Sequence, residues 1–121
     1  MKLYLAGPMT GYAELNFPMF HAEAARLRAL GFDIVNPAEI NAGTNAEWLV
    51  CMRADIKQLL DCDGIALLPR WNESRGASIE HNLARDLGLR VFQARRLMGI
   101  AGDFPVISQD AVIELLDVET A

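Results

Sequence analysis

The chain has 121 residues, the size of one ordinary domain, and 52% of them are hydrophobic, enough for one core without disulfide staples. A formal charge of −5, with Lys and Arg scattered apart from Arg95-Arg96, excludes the basic stripe of a general nucleic-acid binder. No apolar run is long enough to span a bilayer, and Met1-Lys2-Leu3 runs straight into a strand pattern. A soluble, cytoplasmic protein without a signal peptide is therefore expected.

Leu3-Tyr4-Leu5-Ala6 is a short apolar run that stops at Gly7-Pro8, a buried strand followed by a loop over Gly7–Gly11. Asn16 is placed to cap the next helix. Phe17, Phe20, Ala24, Leu27 and Leu30 recur at offsets of three and four, and Gly31 ends that amphipathic helix. The second strand is Phe32–Val35, stopped by Asn36-Pro37, and residues 38–45 are expected to form a loop. A second helix is predicted from Ala46 to Leu60, with Trp48, Cys51, Met52, Ile56 and Leu59 on its apolar face. Gly64–Leu68 is apolar throughout, as a central strand covered on both sides would be. A third helix is predicted over Ser74–Leu87, a fourth strand over Leu89–Phe92 and a last helix over Ser108–Leu116. Neither Cys51 nor Cys62 has metal or redox spacing, and both are expected to be buried, reduced thiols. His21 and His81 also lack metal-ligand spacing and are expected to be solvated.

Strands alternating with helices of crossover length predict an α/β domain, a doubly wound parallel sheet with helices on both faces. Ligands of such sheets bind beyond the carboxyl ends of the strands, where the strand order reverses. The loops after the first and third strands should meet there.

Several residues near that point carry chemistry. Ser74 is a good N-cap and Gly76 lets backbone approach a ligand, so this helix start is either a simple cap or an anion site. Glu80 lies six residues past the cap, too deep for a capping box. It shares a face with Ala77, Ala84 and Leu87, and an inward carboxylate must either pair or react. Arg75 and Arg85 are candidate structural partners for it. Asp55 repeats the anomaly beside Cys51, Met52 and Leu59, and its near cations Arg53 and Lys57 point away. Tyr4, at the end of the first strand, either puts its hydroxyl on Glu80 or finds a backbone partner as an ordinary core tyrosine. Trp71 either stacks on a base or serves as a packing lid or an oligomer contact.

The segments Tyr4-Leu-Ala-Gly-Pro-Met9, Arg53-Ala-Asp55, Cys62-Asp-Gly-Ile65 and Ser74-x-Gly-x-x-x-Glu80 with Ala84 resemble the nucleoside 2-deoxyribosyltransferase superfamily. That group includes the 2′-deoxynucleoside 5′-phosphate N-hydrolases. The resemblance covers residues 3 to 92. Leu68-Pro-Arg-Trp-Asn-Glu-Ser-Arg-Gly-Ala77 is similar to a small phage and bacterial branch. The resemblance implies a flavodoxin-like sheet of four to five strands in a single domain over 1–121, with 93–121 as a C-terminal extension. It implies that Glu80 attacks C1′ of a deoxyribose, that Asp55 protonates or orients the base and that Tyr4 holds the nucleophile. A nucleophile of this kind is expected to be ionised at neutral pH, with an ordinary or lowered pKa. Ser74 and Gly76 would hold the phosphate or sugar end, Gly7, Pro8 and Met9 would bind substrate in the Gly7–Gly11 loop with its available amides, and Trp71 would form a lip. No cofactor or metal is expected. The partner would be a small nucleotide or nucleoside rather than a nucleic-acid polymer or a membrane. Because such sites are shared across subunits, a homodimer or larger assembly is expected. The reading outside this chemistry is a catalytically inactive module that binds or sequesters a nucleotide. A flavin carrier is set aside, since no aromatic pair flanks a phosphate loop.

Overall fold

The computed structural model describes residues 1–41 and 47–97. In chain order its elements are β1 (Lys2–Ala6), α1 (Phe17–Ala29), β2 (Asp33–Val35), the single turn α2 (Pro37–Ile40), α3 (Trp48–Leu60), β3 (Gly64–Leu67), α4 (Arg75–Asp86) and β4 (Arg90–Gln93). Short 3-10 turns span Ala13–Asn16, Trp71–Glu73 and Ala94–Arg96. The expected last helix, like most of the expected extension over 93–121, lies outside the described residues.

All strand pairs are parallel, in the order β2-β1-β3-β4. The order reverses between β1 and β3, as the alternating pattern predicted. The fold is a flavodoxin-like, doubly wound α/β sheet. Side chains alternate across β1 with period two, and this sorts the core into two halves. Leu3 and Leu5 pack with Phe20, Ala24 and Leu27 of α1. Tyr4 and Ala6 face the other way, against Leu59 of α3 and Ala77 and Ala84 of α4. Gly7 follows at the point where β1 leaves the sheet. A Cβ on it would lie 2.8 Å from the Leu68 Cβ, so the two loops at the switch point cross in contact.

Two local expectations differ from the structure. Residues 37–40 form α2 where a loop was expected, because the Asn36 carboxamide accepts from the Ala38 N–H at 3.0 Å and Pro37 occupies the first helical position. Asn16 does not cap α1. Its backbone is left-handed (φ 61°), and its amide donates across the loop to the Pro8 carbonyl at 3.0 Å.

Candidate active site

The strand alternation that sends Tyr4 toward α3 and α4 also brings it beneath Glu80. Glu80 lies three residues after Ala77 and four before Ala84, on the buried stripe of α4. The Tyr4 hydroxyl donates to Glu80 Oε2, and both side chains are buried. Asp55 lies three residues after Met52 and four before Leu59, on the buried stripe of α3. It too is buried, and its carboxylate accepts from the Asn41 amide at 3.1 Å (Oδ1) and 3.4 Å (Oδ2). The three groups line one cleft of about 1020 Å³ at the switch point, with α3 and α4 as walls and the loops after β1 and β3 as its other sides.

The electrostatics follow from burial. Burial pushes the Asp55 carboxyl up to about 6, against the Asn41 hydrogen bond, which lowers it. Burial pushes Glu80 up to about 8; the Tyr4 hydrogen bond opposes the rise and the Asp55 charge adds to it. Tyr4 is held well above its ordinary value, first by burial and then by the Glu80 and Asp55 charges, so it stays a donor. The expectation of an ordinary or lowered pKa for Glu80 is thus corrected. This carboxyl is held toward its neutral form because it is buried, Tyr4 is a neutral partner and no cation pairs with Glu80 among the described residues.

Pro8, Met9, Ser74 and Gly76 also line the cleft. Ser74 caps α4, its Oγ accepting from the Ala77 N–H at 3.2 Å. Gly76 has a structural task as well: a Cβ there would sit 3.1 Å from Met52 Sδ, so it lets α4 start close against α3. Gly7 and Trp71 are not in the lining. Gly7 is taken up by its contact with Leu68. Trp71 lies on the His81 ring, centroids 4.3 Å apart and tilted by 40°, so its face is already covered. His81 is correspondingly buried, not solvated, whereas His21 is exposed. Cys62 is buried as expected, while Cys51 is only half-buried and lines the cleft.

The sequence reading missed Asn41, Trp48, Arg70 and Arg75 as cleft residues. Arg75 does not reach Glu80; its guanidinium lies over the Trp48 ring, 4.4 Å from the centroid. Arg70 is ion-paired with Glu73 at the lip. The Asn36-Pro37 pair, a helix-start signature, is the signal that would have brought Asn41 to attention. Among the described residues no cluster of three or more His, Cys, Asp or Glu could hold a metal ion, and no helix is long and apolar enough to cross a membrane.

Residues 1–93 match the family described as Domain of unknown function (DUF4406). No curated protein is matched by the sequence. Among solved structures, the chain is similar to the 2-deoxyribosyltransferase from the psychrotolerant bacterium Bacillus psychrosaccharolyticus. The TM-score is 0.62 at 19% identity, covering 77% of this chain and 71% of that one. At that identity the likeness establishes a shared fold.

Proposed function

This chain belongs to the DUF4406 family, and from that premise and its acid-lined cleft we propose that it cleaves or exchanges the N-glycosidic bond of a 2′-deoxynucleotide or deoxynucleoside. The observation that carries the reading is the Tyr4 hydroxyl on Glu80, with Asp55 in the same cleft. Two buried carboxylates serve a glycosidic displacement as nucleophile and acid. In this reading a Glu80 carboxylate oxygen attacks C1′, the C1′–N bond breaks, and the base leaves with a proton delivered through Asp55. The resulting deoxyribosyl ester is opened at C1′ by water or a second base, which returns the Glu80 carboxylate with net retention. Tyr4 fixes the attacking carboxylate by its hydrogen bond. Ser74 and the exposed Arg75 lie at the same end of α4 and suit a 5′-phosphate there, which favours nucleotides over nucleosides.

The proton count supports the same chemistry. Between the two carboxyls one proton is held at neutral pH, and one proton is what the departing base needs. At rest that proton sits on Glu80, so substrate entry must move it toward Asp55 before attack. The resting state is also the observation that favours a second reading, a module that binds a nucleotide without turning it over.

Incubation with each of the four deoxynucleoside monophosphates and the free nucleosides, followed by chromatography of released base, separates the two. Wild type should release base from at least one of them, and Glu80→Gln should lose at least 10³-fold of that rate, on the order expected for removing a nucleophile. Mass spectrometry should find a deoxyribosyl adduct on Glu80. Tight nucleotide binding by both proteins with no base released would leave the binding module.

A further inference from the structure

Asn41 has no place in the chemistry above, yet it is the group that touches the Asp55 carboxylate. Its amide nitrogen lies 3.1 Å from one oxygen and 3.4 Å from the other. No lysine, arginine or histidine makes an ion pair with Asp55 among the described residues. The other titratable groups lining this cleft are Tyr4 from β1, Tyr12 from the loop after β1, Cys51 from α3 itself, Glu80 and Arg75 from α4, and Arg70 and Glu73 at the lip.

The backbone that delivers Asn41 is fixed from several directions. The Asn41 N–H bonds to the Pro37 carbonyl at 3.0 Å, closing the one turn of α2. At its start Asn36 is buried and caps the turn, and its own amide meets His21 Nδ1 at 3.3 Å. On its outer side Glu39 is paired with Arg28 of α1, Oε1 at 2.7 Å. Pro37 and Ala38 are buried beneath it. A four-residue helix has little stability of its own, so these contacts hold it as a bracket, and Asn41 at its end lines the cleft together with Pro37.

We propose that Asn41 is the positioning residue of this cleft, its carboxamide holding the Asp55 carboxylate in place and in its ionised form. A donor on a carboxylate favours its ionised form, and an ionised Asp55 adds to the burial that favours the neutral form of Glu80. The Asn41 amide thus opposes the burial of Asp55, and the Asp55 charge it favours adds to the burial that raises Glu80. This inference rests on the carboxylate pair of the proposed reaction, but its test does not require turnover.

The test is a ¹³C-carboxyl NMR titration of the full chain, with Asp55 and Glu80 assigned through Asp55→Asn and Glu80→Gln. Wild type is compared with Asn41→Leu, which matches the side chain in size and removes the donor. The Asp55 midpoint should rise by about one unit in the variant, the scale of one lost hydrogen bond to a charged group, and that of Glu80 should fall. An unmoved Asp55 midpoint in a variant with the wild-type amide spectrum overturns the proposal. Should Asn41→Leu not fold, Asn41→Ser, polar but too short to reach, gives the same decision. Where base is released, the acid limb of kcat/KM should move with the Asp55 midpoint while KM changes less than threefold. If the midpoints move and no base is ever released, the role of Asn41 stands and the glycosidase reading falls.

Discussion

Glu80 is a carboxyl whose surroundings favour its neutral form, and this leaves a signature in stability as well as in chemistry. Its ordinary value is 4.5 and the folded value is about 8, so between these limits the folded chain binds more protons at this site than the unfolded one. Stability contributed by the neutral carboxyl is therefore fully present below about pH 4.5 and is lost as the pH rises through 8. Glu80→Gln keeps an acceptor for Tyr4 and removes the titration. It should match wild type near pH 4.5 and exceed it by on the order of 4 kcal/mol at pH 8, measured by urea denaturation across pH. Equal curves at both pH values would mean that Glu80 is ionised in the folded chain. In the proposed reaction the same two carboxyls would shape the rate. The one-proton state of the pair is dominant between apparent values near 6 and 8, so kcat/KM for base release should trace a bell between them. A rate still rising above pH 9 would place the essential proton elsewhere.

Helices and loops deliver these residues, and glycine sets how closely they approach. Gly7→Ala would push a Cβ to 2.8 Å from the rigid Leu68 Cβ, at the crossing of the two switch-point loops. It should cost about 2 kcal/mol. Gly76→Ala would meet only the flexible Met52 sulfur at 3.1 Å and gains helix propensity, so it should change stability by less than about 1 kcal/mol. Equal losses in thermal melts of the two variants would contradict this contrast. Much at this scale was legible in the sequence. Offsets of three and four put Glu80 with Ala77 and Ala84 and Asp55 with Met52 and Leu59. As the lone polar-tipped residue near the end of the first strand, Tyr4 was offered as a partner of Glu80, and Ser74 announced its cap. What stayed hidden depends on contacts between distant segments. Asn41 meets Asp55 only because α2 folds back over the cleft. His81 points about 100° from Glu80 on the helical wheel and so looked solvated, but the Trp71 ring covers it. Asn16 carries a cap residue's chemistry and spends it on Pro8.

At the scale of the molecule, the sheet order gathers Tyr4, Asp55 and Glu80 in one cleft, and α1 packs on the opposite face. Beyond β4 the chain is tied to α1 by Arg26, which donates to the Ala94 and Leu97 carbonyls at 2.8 Å each and pairs with Glu23. Arg26 does not line the cleft. Arg26→Ala should lower stability by about 1–2 kcal/mol in urea melts, with kcat for base release unchanged. A fall in kcat without a fall in stability would tie the two faces together. The distribution of aromatic rings has an optical consequence. The chain has two tryptophans, and one of them lines the cleft. Trp48 lies in the lining under the Arg75 guanidinium, and Trp71 lies outside it, pressed on His81. A phosphate drawing Arg75 off its ring would change the emission of Trp48 alone, while Trp71 serves as a fixed internal reference. Titration of a deoxynucleotide should thus give a saturable fluorescence change that Trp48→Phe abolishes and Trp71→Phe retains, so the protein carries its own dye for occupancy of the cleft.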